Sequence, residues 1–352
     1  MKVQVDWLKE YVEIEKSAAE LGQILTMAGL EIESHEFLDE EKGDVLELNV
    51  TPNRGYCLSH LGVARGVSVL MGQEFKPPES LALLEKKWGA VPITEKLSVE
   101  NHEKSLCPRY TALVIENIKP GPSPKWLCDR LHAIGLRPIN NIVDITNFVM
   151  MEYGQPLHAF DRELLSGNQI VIRNAKIQEL FTSLDGSELK LGSDALVIAD
   201  AEKPIALAGI MGGINSQVSE TTQNIVLESA YFDSVTIRKA SKKYGLRSDS
   251  SYRFERGVDI NGVITAQARA ACLIQELAGG EICNGRIDIY PKPHSNIQIF
   301  LRVARVNQLL GSNFKVERIR EIISRLGLKV KEETDREIMK IEIPSFRPDL
   351  AR

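Results

Sequence analysis

Residues 137–161, RPINNIVDITNFVMMEYGQPLHAFD, set Asn, Asp, Thr, Gln and His into a run otherwise apolar enough to be core. Polar side chains among aliphatics cost free energy unless hydrogen-bonded, so such a mixture points to a lined pocket. Ile142, Ile145 and Val149 recur at helical spacing with Asp144, Thr146 and Asn147 between them. That pattern predicts a helix with one face in the core and another turned to a cavity. Gly154 is expected to close the helix in the left-handed conformation. Pro156 then makes the chain extended or turned, which puts His158 on a rigid, non-helical segment. A lone histidine beside Leu157 and Phe160 is more often a satisfied core residue than a catalyst, so the segment and not His158 by itself carries the expectation of a site.

A chain of 352 residues is long enough for two or three domains. Its formal charge of -5 argues against a uniformly basic nucleic-acid binder but leaves room for a local stripe. Arg238, Lys239, Lys242, Lys243, Arg247, Arg253 and Arg256 form one, opposed only by Asp249 and Glu255, and a solvated charged surface explains it equally well. The cysteines Cys57, Cys107, Cys128, Cys272 and Cys283 form no CxxC pair, so neither a zinc knuckle nor a disulfide framework is indicated. The N-terminus lacks the apolar core of a signal peptide and no later stretch approaches a membrane-spanning length. A soluble, cytoplasmic protein is expected.

In chain order, Ser17 and Glu20 form a capping box opening a helix that stops at Gly29. EIESHEF (31–37) and VLELNV (45–50) alternate as a β-hairpin. A turn and a helix follow over 51–72, and 73–98 reads as a linker with a short helix in it. From Cys107, CPRYTALVIENI is strand-like, and Ser123 with Pro124 gives an N-cap and first turn. IVIRNA, LVIAD, PIALAGIMGG and NIVLESA are short strands separated by turns, which suggests a mixed sheet, and 261–280 is an amphipathic helix. Beyond Pro291 and Pro293, a helix and a two-stranded wing suit an incomplete winged-helix-like module. The expected fold class is α+β and multidomain, with mixed and antiparallel sheets: an N-terminal α+β part at 1–92, a central part at 98–290 and a truncated module at 295–352.

AGIMGG (208–213) has neither P-loop nor dinucleotide spacing, so it lets a backbone approach a ligand closely or forms a tight turn. Glu228 lies in IVLESA, where a carboxylate among apolar neighbours is rare unless paired or functional. SDSSYRFERG holds three serines near one another but no GxSxG elbow. Asp349 follows Arg347 closely enough to be a surface pair or a metal ligand.

Taken together, TPNRGYCLSHLGVAR, CPRYTALVI, the 137–161 stretch, AGIMGG, VLESAYF and RFERGVD resemble, in this order, the beta subunit of bacterial phenylalanyl-tRNA synthetase. The resemblance implies an (αβ)₂ enzyme ligating phenylalanine to tRNA(Phe), with ATP used at the alpha subunit. It also implies that the central part is an editing domain that hydrolyses mischarged Tyr-tRNA(Phe). An apolar pocket rejects a substrate that merely adds a hydroxyl by only ~10²-fold, which is why a second, hydrolytic site is needed.

Carried over residue by residue, the family's editing positions fall on Arg137, Thr146, Asn147, Pro156 and His158, on Ala208 and Gly209, and on Glu228, expected as an ionised acceptor for the tyrosine hydroxyl. His158, Thr146 and Asn147 are the catalytic candidates, and Arg238, Lys239, Lys242, Lys243 and Arg247 the RNA-binding ones. Ser248 and Ser250 stand where the family usually has Thr and Ala, and Tyr56 where Asp is common. The OB-fold insertion usual between residues near His35 and Asp44 is replaced by a short turn. Asp349 matches a magnesium ligand whose companion carboxylates lie in a part of the family that continues past residue 352. The alternative is a non-catalytic scaffold or RNA-binding fragment that has lost editing.

Overall fold

A computed structural model describes residues 1–335 and 337–350. The N-terminal part is a three-stranded antiparallel sheet in which Asp44–Asn49 lies between Lys2–Gln4 and the edge strand Glu31–Phe37. The Ala18–Met27 helix opens on the expected capping box, with the Ser17 hydroxyl accepting from the Glu20 N–H and the Glu20 carboxylate accepting from the Ser17 N–H. Leu21 and Leu25 bury its inner face.

The middle of the chain is built on a six-stranded sheet. Its spine is Arg109–Glu116, flanked by Ile225–Tyr231 on one side and by Glu281–Asn284 and Ile287–Ile289 on the other. Leu157–Asp161 closes one edge against Ile225–Tyr231. Because side chains alternate across a strand, Leu113, Ile115, Ile225 and Leu227 pack into one core with the Asn141–Tyr153 and Val263–Ala278 helices. Tyr110, Ala112, Val114, Val226 and Phe160 face a second core, shared with a five-stranded sheet. That sheet runs Met211–Gly212, Pro204–Leu207, Leu196–Ala199, Gln169–Asn174 and Ser98–Asn101, its last pair parallel.

Two expectations change. The 73–98 segment is not simply a linker, because Trp88–Pro92 pairs in parallel with Glu281–Asn284 and joins the six-stranded sheet. The first core likewise runs across the expected division at residues 92–98, uniting Trp7, Leu21 and Leu61 with Phe148, Leu227 and Ile274. Secondly, Pro124 and not Ser123 is the N-cap of the Lys125–Ala133 helix. The Ser123 hydroxyl instead donates to the buried Asp144 carboxylate at 2.6 Å.

The last part has a small core of its own, with Val303, Ile319, Leu328, Met339, Ile341 and Ile343 buried. Helices Val303–Leu310 and Val316–Arg325 pack with an antiparallel sheet of Gln298–Arg302, Ile338–Glu342 and Lys329–Asp335. The α+β class with mixed and antiparallel sheets is therefore as expected.

Candidate active site

The 137–161 stretch folds as the Asn141–Tyr153 helix, capped by Asn140 and closed by Gly154 at φ 76°. The chain then turns into the Leu157–Asp161 strand. On that strand His158 lies directly opposite Glu228 in the antiparallel register, and Ala112 flanks Glu228 on the other side. His158 and Glu228 share alternation parity with Phe160 and Val226, so both project from the sheet face that meets the second core. There they line a cavity of about 50 Å³ with Pro156, Gly209, Gly212 and Ser250, room for a few waters.

Both titratable groups are perturbed by their surroundings. His158 Nε2 is buried with no hydrogen-bond partner, and the ring stands edge-on to Phe160 with centroids 4.5 Å apart. Burial lowers its pKa to about 4, so the imidazole is neutral at physiological pH. Burial pushes the Glu228 carboxyl up to about 8, against a smaller opposing effect from the Tyr110 hydroxyl, which donates to Oε2 at 2.8 Å. Glu228 is therefore mostly protonated at neutral pH, which corrects the expectation of an ionised acceptor. As a neutral carboxyl it offers both an acceptor and a donor.

The glycine-rich segment supplies the third wall. Gly209 has φ +66°, and a Cβ there would meet Ile237 and Phe232 at 2.9 Å. A Cβ on Gly212 would lie 2.5 Å from His158 Cε1 and 2.7 Å from Nε2, so this backbone closes directly on the imidazole. Ser248 caps the Asp249–Phe254 helix and donates to the Ile210 carbonyl at 2.7 Å, tying that helix to the glycine segment. Ser250, two residues on, reaches the cavity and contacts Met150 Sδ at 3.7 Å.

The sequence-derived residues divide accordingly. Pro156, His158, Gly209, Glu228 and Ser250 converge on the cavity, whereas Arg137, Thr146, Asn147, Ala208 and Ser248 do not line it. Arg137 is exposed, Asn147 is half-buried on the helix and Ala208 is in the core. The Thr146 hydroxyl is used within its own helix, donating to the Val143 carbonyl at 2.7 Å. Tyr110 and Gly212 were missed. CPRYTALVI and AGIMGG contained both, but only strand pairing shows that they face Glu228 and His158.

The basic stripe is shorter than the residues suggested. The Ser234–Tyr244 helix buries Ile237, Ala240 and Ser241 and exposes Arg238, Lys239, Lys242 and Lys243, the last paired with Asp194 at 2.6 Å. Arg247 follows, also exposed. Arg253 is buried, donating to the Leu58 carbonyl, Asp249 and Met151, and Arg256 is drawn against Glu255 and the Tyr252 ring. Neither belongs to the exposed stripe.

The magnesium implied at Asp349 does not fit the residues present. Both Asp349 oxygens accept from the Arg347 guanidinium at 2.8 Å, and among the described residues no group of three or more His, Cys, Asp or Glu could hold a metal ion.

Residues 106–279 match the B3/4 domain family, and residues 299–352 match the tRNA synthetase B5 domain. The phenylalanine–tRNA ligase beta subunit of Geobacter metallireducens is 47% identical over 311 residues, covering 88% of this chain and 38% of that protein. That of Carboxydothermus hydrogenoformans is 45% identical over 342 residues, covering 96% of this chain and 42% of that protein. This chain belongs to the phenylalanine–tRNA ligase beta-subunit family. It spans about two-fifths of the length of these curated relatives. The fold is also that of an N-terminal fragment of the phenylalanyl-tRNA synthetase beta subunit from Pyrococcus horikoshii, with a TM-score of 0.53 at 15% identity over 100% of this chain and 95% of that one. The His158–Glu228 cavity thus lies inside the B3/4 match of a beta-subunit chain, and among the described residues no helix is long and apolar enough to cross a membrane.

Proposed function

We propose that this beta-subunit chain carries an editing site that hydrolyses the ester of mischarged Tyr-tRNA(Phe). What carries the proposal is the pairing of His158 with Glu228 across one small cavity closed by the Gly212 backbone. Glu228 is the reader of the substrate. Tyr110 holds Oε2, and Oε1 makes no hydrogen bond among the described residues, which leaves it for a phenol. Phenylalanine would leave Oε1 desolvated without a partner, at a cost of roughly 1–3 kcal/mol. His158 orients the attacking water. An imidazole whose pKa lies near 4 is a weak base at neutral pH, so it contributes a fixed hydrogen-bond acceptor more than a proton sink. The terminal ribose hydroxyl of the tRNA would assist the hydrolysis.

The experiment compares deacylation of Tyr-tRNA(Phe) and Phe-tRNA(Phe) by this chain and two variants. Glu228→Ala narrows the preference for the tyrosyl ester by roughly tenfold or more, following the cost above. His158→Ala slows both esters with less effect on the preference. Wild-type selectivity in Glu228→Ala would reduce Glu228 to a structural carboxyl, and no tyrosine release by the intact chain would leave a non-catalytic scaffold.

In the whole enzyme this chain would be the N-terminal portion of a cytoplasmic (αβ)₂ ligase, joined to an alpha subunit that activates phenylalanine with ATP. Its 295–352 segment would act as a winged-helix-like module. The tRNA would lie along Arg238, Lys239, Lys242, Lys243 and Arg247, a patch too small to bind tightly. Affinity for tRNA falls steeply with salt, and the double variant Lys239→Ala, Lys242→Ala flattens the slope of log affinity against log salt by roughly one per lysine removed. An unchanged slope in a salt titration places the RNA elsewhere.

A further inference from the structure

A second and larger cavity, of about 280 Å³, lies where the His60–Met71 helix, the 75–78 segment, the end of the Asn141–Tyr153 helix, the 257–262 loop and the start of the Val263–Ala278 helix meet Phe346. Its size is close to the lower end of small-molecule pockets. Two of its lining residues carry unused hydrogen-bonding capacity. Gln155 is 3% exposed, and its Nε2 donates to the Pro156 and Ala230 carbonyls at 3.1 and 2.8 Å. Those two bonds fix the amide orientation and leave Oε1 as a buried acceptor with nothing to accept. Arg65 is the second. Its guanidinium carbon sits 3.9 Å from the Phe346 ring centroid and 5.3 Å from that of Phe75, yet it makes no ion pair and no side-chain hydrogen bond among the described residues.

The rings fix the plane of the guanidinium but do not supply the oxygens that its fork is shaped to hold. The carboxylate that lines the cavity, Asp259, accepts at Oδ1 from the Ser345 hydroxyl and the Asn261 N–H. Tyr56, Pro77, Pro78 and Tyr153 add apolar and aromatic surface to the wall, which Ser59 and Thr265 also line.

We propose that this cavity binds a small organic carboxylate with an aromatic body and one N–H or O–H donor, the carboxylate on Arg65, the ring against the aromatic wall and the donor on Gln155 Oε1. The inference is independent of the editing reading, because no residue of the His158–Glu228 cavity takes part.

Indole-3-acetate, which has an aromatic bicycle, a carboxylate and a ring N–H, is the probe, titrated calorimetrically into the 352-residue chain. One-site saturation is expected, weakened by roughly tenfold or more in Arg65→Met. Thr265→Phe is the second variant. Thr265 is half-buried on the cavity wall, so the larger side chain fills the space while Arg65 is kept, and binding is abolished while the thermal midpoint holds. Glu228→Gln leaves binding unchanged. Absence of saturation, equal affinity in Thr265→Phe, or loss of binding in Glu228→Gln, which would place the probe in the other cavity, each overturns the proposal.

Discussion

Gly212→Ala lowers the rate of tyrosine release from Tyr-tRNA(Phe) by on the order of 10²-fold while the chain stays folded. The glycine sits in the Met211–Gly212 strand, paired with Ala206, at a backbone conformation that alanine tolerates. The obstacle is space. An added Cβ would come within 2.5 Å of His158 Cε1 and within 3.0 Å of Leu184 Cδ1, closer than carbon atoms approach. The imidazole must swing away, since the Leu157–Asp161 backbone that bears it is held by hydrogen bonds to Ile225–Tyr231. A displacement near 1 Å is enough to remove a positioned water from its ester. Deacylation kinetics beside a thermal melt test this: a normal rate in a folded variant means that His158 has no part in the hydrolysis, and the reading of the cavity falls with it.

Much of this geometry was legible before any coordinates, for a reason that can be stated. Strand alternation ties His158 to Phe160 and Glu228 to Val226, so two short apolar runs already say on which side each polar residue lies. The capping box at Ser17 and the left-handed Gly154 are equally local and equally readable. Other features depend on pairings far apart in sequence. WGAVP gives no hint that Trp88 will sit beside Ile282, because a short run ending in proline carries little register information of its own.

The polar face of the Asn141–Tyr153 helix shows a different limit. Its period says which residues share a side but not what lies opposite. Asp144 meets Ser123 and the Ile139 N–H, and Thr146 meets its own helix, so neither reaches the cavity that the polar run suggested. Arg253 failed as a surface cation for the same cause. Charge alone suggests solvent, whereas a carbonyl, a carboxylate and a thioether arranged around a buried guanidinium can be recognised only once helix and loop are packed.

Glu228→Gln makes stability less sensitive to pH between about 4.5 and 8. The folded carboxyl titrates near 8 because burial penalises its charge, while in the unfolded chain it titrates near its ordinary value of 4.5. Below 4.5 both states hold the proton and the group contributes no pH dependence. Between the two values the unfolded chain releases the proton and the folded one keeps it. Unfolding then binds fewer protons, and stability falls by ~1.4 kcal/mol per pH unit, a few kcal/mol across the window. Above 8 both states are ionised and the dependence ends. Glutamine keeps the shape and an oxygen for the Tyr110 hydroxyl but has no proton to lose, so the variant gains on the wild type as pH rises from 5 to 8. Urea melts of the two proteins at several pH values measure that gain, and parallel curves would mean that Glu228 is ionised in the fold. The same substitution bears on specificity. If a neutral carboxyl reads the phenol through a protonated Oε1, glutamine with its oxygen on the Tyr110 hydroxyl presents an N–H donor in the same place, and the preference for Tyr-tRNA(Phe) survives at pH 7. Loss of that preference in Glu228→Gln would instead require a charged reader, contrary to the burial of this side chain.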